Sequence, residues 1–141
     1  MSPLTSKPFL MDSLETFCTV ESLALASRLR KGSAALIPTD TLPAIAASPL
    51  HCAQLWQIKQ RPLGKPLILM GSNSTQLFEC VSVMALADAQ EMASRYWPGA
   101  LTMVLPASGP WVNALNPGKS NIGMRIPKCD LTIELLSKSG P

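Results

Sequence analysis

A chain of 141 residues that is 47% hydrophobic has the length of one ordinary domain and enough apolar mass for a core. No apolar run approaches the roughly 20 residues that cross a bilayer, and Phe9-Leu10-Met11 is soon interrupted by Asp12 and Glu15. We therefore expect neither a membrane span nor a secretory signal, and a soluble, cytoplasmic protein. A net charge of +3 is too small to make the whole chain a nucleic-acid binder, but residues 59–65 hold Lys59, Arg61 and Lys65 and no acid. The other nine basic residues balance the nine acidic ones, so the excess resides in this one segment.

Residues 1–18 show no hydrophobic period and read as a loose lead-in, with a single domain over 19–141. From Thr19 as N-cap, a helix runs to Lys31 with Leu25, Ala26 and Leu29 on one face, basic residues in its last turn and Gly32 as its stop. Ser33–Pro38 is a short buried strand, followed by the loop Thr39-Asp40-Thr41-Leu42-Pro43. Ser48-Pro49 opens a second helix in which Cys52, Leu55, Trp56 and Lys59 share a face, so Lys59 arrives at its end. Arg61-Pro62 breaks that helix, because proline disfavours helical geometry in the residue before it, and a strand follows over Pro66–Met70.

A third helix ends near Tyr96 and is closed by Trp97-Pro98-Gly99, before a strand at Leu101–Leu105. Residues 106–120, rich in Pro, Gly and Asn, read as a long loop; Asn121–Ile126 is a further strand and Leu131–Lys138 a last helix. Alternating strands and helices without a repeat indicate a single α/β domain, and three long connections favour a mixed sheet. The dispersed cysteines Cys18, Cys52, Cys80 and Cys129 lack metal or redox spacing and are expected to be free thiols. His51 has no evident carboxylate or thiol partner and reads as a surface residue.

Three groups of residues have chemical potential. Lys59, Arg61 and Lys65 suit a polyphosphate clamp, arginine supplying a planar fork and lysine a mobile point charge; the alternative is a solvated basic loop. Pro38-Thr39-Asp40-Thr41 lies where a strand meets a loop, a usual place for ligand contacts, and equally suits a turn satisfying backbone amides. Arg125 sits within an apolar strand, where its guanidinium needs an anion: a ligand carboxylate or a structural Asp or Glu. Trp97-Pro98-Gly99 reads as a turn anchored by an aromatic. Walker-type and dinucleotide-binding glycine loops are absent, as is a Ser/His/Asp set.

Together and in order, Pro38-Thr39-Asp40-Thr41, Lys59-Gln60-Arg61-Pro62 with Lys65-Pro66-Leu67, Trp97-Pro98-Gly99-Ala100-Leu101-Thr102 and Gly123-Met124-Arg125-Ile126-Pro127 resemble the YrdC/TsaC family of threonylcarbamoyl-AMP synthases. The resemblance implies a twisted mixed α/β sheet flanked by helices, with a basic concave face. It implies a nucleotidyltransferase that makes threonylcarbamoyl-AMP and pyrophosphate from L-threonine, bicarbonate and ATP, with Mg2+ accompanying the nucleotide. The product would feed the transfer machinery for N6-threonylcarbamoyladenosine at position 37 of tRNA. By position, Lys59, Arg61 and Lys65 match the motif facing the ATP phosphates, with Lys59 and Arg61 catalytic; Asn121 joins the ATP set, and Thr39 and Arg125 match threonine-binding residues.

The sequence also departs from the family pattern. Leu42-Pro43-Ala44 follows where Val-Tyr-Gly is frequent, Asn121 replaces a common threonine, and Met70 stands where some relatives have histidine. Relatives continue beyond a Gly-Pro like Gly140-Pro141 into a strand carrying Thr-Ser-Ala-Asn, so this chain is expected to lack part of the ATP site. A double-stranded RNA or tRNA-binding module, or an inactive remnant, is the competing reading.

Overall fold

A computed structural model describes residues 22–62 and 64–141. The lead-in at 1–18, the proposed cap Thr19, and Cys18 lie outside the described residues. Helix α1 is described over residues 22–30, and Gly32 ends it in the left-handed region at φ 109°. Strands β1 (Ala35–Ile37) and β2 (Ala44–Ala46) form an antiparallel pair in which Leu36 faces Ile45. Pro49–His51 is one turn of 3-10 helix, followed by α2 (Ala53–Ile58), with Lys59 at its C-terminal cap. Ser48 Oγ does not cap this segment through a backbone amide; it lies 2.8 Å from His51 Nδ1, on the surface.

Strand β3 (Ile68–Met70) precedes α3 (Ser74–Phe78), whose N-terminus Asn73 caps by accepting from the Gln76 amide at 2.8 Å. Helix α4 (Val83–Tyr96), strand β4 (Met103–Pro106), α5 (Pro110–Leu115), β5 (Asn121–Arg125) and α6 (Asp130–Ser139) complete the order. The second sheet runs β3-β5-β4, with β5 parallel to β3 and antiparallel to β4. The mixed sheet expected from the long connections is therefore present, accompanied by a separate two-stranded sheet. The expectation of an unbroken loop over 106–120 is corrected by α5, which Pro110 opens from a position where a missing N–H costs nothing.

The main core lies on the face of the three-stranded sheet made by Leu69, Ile122 and Met124, all nearly inaccessible, against Leu77, Ala89, Ala93 and Val112 from the helices. A smaller cluster of Ala26, Leu29, Ile37 and Leu135 joins α1, β1 and α6. The opposite face of the three-stranded sheet is open: Ile68 and Val104 are exposed on either side of Gly123, with which both pair. That alternation follows from the period of two along a strand, and it leaves Arg125 on the same side as Gly123.

Candidate functional site

A cleft of about 350 Å³ opens between the two sheets, walled by Ala44–Ala46 of β2 and Ile68–Met70 of β3. Leu55, Leu115 and Leu136 also line it, and Lys59, Arg61 and Arg125 supply its cations; among the described residues no Asp or Glu side chain lines it. Of the departures noted in the sequence, Leu42-Pro43-Ala44 and Met70 lie on its wall and Asn121 does not; Ser139, Gly140 and Pro141 line it too.

The basic loop is fastened from within. Gln60 takes a left-handed conformation at φ 51°, which turns the chain out of α2, and the Arg61 amide donates back to Trp56 O at 2.9 Å. The buried Trp56 donates its indole N–H to Lys65 O at 3.0 Å. Arg61 bridges the same loop, with Nη2 donating to Pro66 O at 2.9 Å and a longer contact from Nε to Lys65 O at 3.4 Å. Both acceptors are neutral carbonyls, so the guanidinium is oriented without an acidic partner among the described residues. Lys65 is exposed and takes part through its backbone; its side chain does not line the cleft.

Arg125 is 7% exposed and has found its anion within the chain. Its Nη2 pairs with Asp40 Oδ1, Nη1 donates to Thr41 Oγ1 at 3.1 Å, and Nε donates to Gly99 O at 2.9 Å. Asp40 Oδ1 also accepts from the Lys128 amide at 3.0 Å. Burial opposes the Asp40 charge, but its own backbone amide, that of Lys128 and the Arg125 guanidinium outweigh it and hold the carboxyl below its ordinary value. Of the two partners that the sequence left open for Arg125, the structure supplies the structural acid.

Gly99 belongs to this arrangement for a steric reason. A Cβ there would stand 2.5 Å from the Tyr96 carbonyl oxygen, so only glycine places its carbonyl on Arg125 without a shift, while its amide donates to Ile126 O at 2.9 Å. Trp97 anchors the turn by donating to Leu101 O at 2.9 Å and packing on Phe78 with ring centroids 5.7 Å apart.

Thr39 is committed within its own turn: Oγ1 donates to Leu42 O at 2.6 Å and accepts from the Thr41 amide at 3.1 Å. It shapes the loop that presents Asp40 and Thr41 to Arg125 and does not itself line the cleft. Asn121 stands at the other end of β5 from Arg125, bound by Asn116 Nδ2 at 2.9 Å through its carbonyl and 3.1 Å through Oδ1. The structure thus gathers Lys59, Arg61 and Arg125 on one cleft, and Lys65, Thr39 and Asn121 are not among its lining residues. Asp40, Thr41 and Gly99, which the sequence offered only as parts of a loop and a turn, are the partners that orient Arg125.

Among the described residues no group of three or more His, Cys, Asp or Glu is placed to hold a metal ion. Cys52 is buried and lines the cleft, and Cys80 and Cys129 are partly buried; all three are free. Burial pushes the Cys52 and Cys80 thiols up, against a smaller effect of their backbone hydrogen bonds, which disfavours the reactive thiolate. No helix among the described residues is long and apolar enough to cross a membrane.

Residues 27–141 match the family model of Sua5, YciO and YrdC proteins, described as "Telomere recombination". A threonylcarbamoyl-AMP synthase from Stenotrophomonas maltophilia is 36% identical over 114 residues, covering 76% of this chain and 60% of that protein. One from Pyrococcus abyssi is 29% identical over 117 residues, covering 81% of this chain and 34% of the relative. The chain therefore spans from about a third to three fifths of the length of these curated relatives. The solved structure of P. abyssi Sua5 complexed with L-threonine superposes with a TM-score of 0.78 at 26% identity, over 84% of this chain and 36% of that one. E. coli YciO shares the fold, with a TM-score of 0.69 at 23% identity over 84% of this chain and 59% of that chain. Because that family model spans residues 27–141, most of the chain, and two of the four motifs line the cleft while the other two hold Arg125, the chain belongs to the Sua5/YciO/YrdC family.

Proposed function

We propose that this chain carries the adenylate-forming site of a threonylcarbamoyl-AMP synthase. The observation that carries the reading is the convergence of Lys59, Arg61 and Arg125 on a cleft that no carboxylate side chain lines among the described residues, in a fold shared with a threonine complex. Lys59 and Arg61 receive the ATP phosphates, with Lys65 following from the loop rim and Asn121 meeting the nucleotide from the far end of β5. Arg125 and the turn closed by Thr39 receive L-threonine.

The chemistry asks little covalent participation from the protein. The threonine amine attacks the carbon of bicarbonate with loss of water, and the resulting N-carboxylate oxygen attacks the α-phosphorus of ATP. The bond from the α-phosphorus to the bridging oxygen breaks, and pyrophosphate leaves. Lys59 and Arg61 stabilise charge on the phosphoryl oxygens; a pre-oriented guanidinium does so without reorganising during the reaction. Among the described residues the cleft offers no acidic or imidazole ligand set for a resident metal, and a Mg2+ ion brought by the nucleotide would supply charge neutralisation at the phosphates. Transfer of the threonylcarbamoyl group to tRNA in the cytoplasm falls to a partner protein.

Pyrophosphate release from ATP, measured with and without L-threonine and bicarbonate, tests the reading. We expect release that requires both co-substrates, and its loss by about a hundredfold or more in Arg61→Ala, the scale on which removing a transition-state donor acts. No co-substrate-dependent release from folded protein would overturn the assignment. Arg61→Lys should rescue little, since an ammonium cannot span the two carbonyls that orient the guanidinium.

A further inference from the structure

The cations of the cleft differ in one respect that residue type does not reveal: who balances their charge. Among the described residues the Arg61 side chain hydrogen-bonds to neutral carbonyls and no acid pairs with it or with Lys59, whereas Arg125 is paired with Asp40. Each of three guanidinium nitrogens of Arg125 makes one hydrogen bond to a described residue, which engages three of its five N–H groups. The other two, one on each terminal nitrogen, have no partner among the described residues, and Arg125 lines the cleft.

We infer that Asp40 is a positioning residue with two separable effects on Arg125: with Thr41 and Gly99 it fixes the fork, and it cancels the fork's net charge so that phosphate is directed to Lys59 and Arg61. The inference deepens the reading above and rests on it for the identity of the two ligands. An arginine and a carboxylate in direct contact present a dipole to a third group, and their joint field falls off faster than that of a lone cation. A triphosphate gains most from unbalanced positive charge. A zwitterionic amino acid, neutral overall, gains from directed N–H donors instead. Neutralising one end of the cleft therefore sorts the ligands by charge before any contact specific to either is made.

The geometry separates the two effects by substitution. Asparagine at position 40 retains an oxygen that accepts from Arg125 and from the Lys128 amide, but removes the negative charge; alanine removes both. Inorganic pyrophosphate and L-threonine are the probes, titrated by calorimetry on folded protein at fixed ionic strength. We expect Asp40→Asn to bind pyrophosphate at least about threefold more tightly, with a steeper salt dependence, and L-threonine within about twofold of wild type. Asp40→Ala should share the gain for pyrophosphate and lose about tenfold or more for L-threonine. Thr41→Val should leave pyrophosphate unchanged and weaken L-threonine.

Unchanged or weaker pyrophosphate binding in Asp40→Asn overturns the inference, as does full threonine affinity in Asp40→Ala. A wild-type chain that binds pyrophosphate with the expected Asp40 dependence but shows no threonine-dependent turnover would sink the function reading and leave charge cancellation standing. Should the Asp40 variants fail to fold, the wild-type guanidinium decides by nitrogen NMR. Separate, slowly exchanging Arg125 N–H signals support the fixed fork, and a single averaged, fast-exchanging signal overturns it.

Discussion

Asp40 couples the site to the stability of the domain, and the sign of that coupling can be worked out. Its carboxyl titrates below the ordinary 3.8 in the folded chain and near that value when unfolded. The ionised form is thus favoured by folding, and its contribution is fully present above about pH 4. It is lost as pH falls through the folded value, where the unfolded chain binds more protons. We expect the urea midpoint of wild type to drop below about pH 4 more steeply than that of Asp40→Asn, and parallel curves would refute the linkage. Partial exposure of the pair keeps the difference small. The sequence made Arg125's need for an anion legible, because an arginine inside Ile122-Gly123-Met124-Arg125-Ile126 cannot stay unpaired. It did not identify the anion: Asp40 lies 85 residues away, and only the closure of one sheet against the other brings them together.

At the scale of elements, legibility followed length and punctuation. The register of α4, β3 and β5 was readable because their apolar positions recur at helix or strand spacing and prolines or glycines bound them. Strand β2 was not, since Ala44-Ile45-Ala46 is three residues with no polar alternation and is defined by pairing with β1. Helix α5 was hidden by its company: Pro110 follows Gly109 in a stretch rich in breakers, although proline at a first helical position is a start signal. The turn after α4 shows how an element serves the site. Gly99→Ala places a methyl against the Tyr96 carbonyl, and relief requires moving the segment whose own carbonyl holds Arg125 Nε. We expect a loss of about 1–3 kcal/mol in stability, the usual cost of forcing a carbon into a packed position, together with weaker L-threonine binding. A stability loss with unchanged threonine affinity would show that the turn supports the fold alone.

For the whole molecule, the expected α/β class with a mixed sheet is present, but its division into two packed clusters is not visible in hydrophobic periodicity, which marks faces and not which faces meet. The larger one fastens β3, β4 and β5 to α2–α5; the smaller one joins α1, β1 and α6 through four buried residues. Between them run a few polar ties, including Asp40 with Arg125, alongside the cleft. Within the smaller unit, Thr132 Oγ1 donates to Pro38 O and Arg30 Nη1 to Lys138 O, ties that span about a hundred residues of sequence yet never enter the three-stranded sheet. Among the described residues the smaller cluster has four buried side chains with five partly buried ones packed on them, and a unit with the smaller buried core opens more easily because its opening exposes less surface. Leu135→Ala should therefore cost about 2–5 kcal/mol, as deletion of a buried leucine side chain does, and the loss should fall unevenly. Amide hydrogen exchange is the measurement. We expect α1, β1, β2 and α6 to exchange together and faster in the variant, while the Ile122 and Met124 amides of β5 keep most of their protection. Equal acceleration of both groups would mean that the clusters unfold as one, and that the cleft between them cannot open without global unfolding.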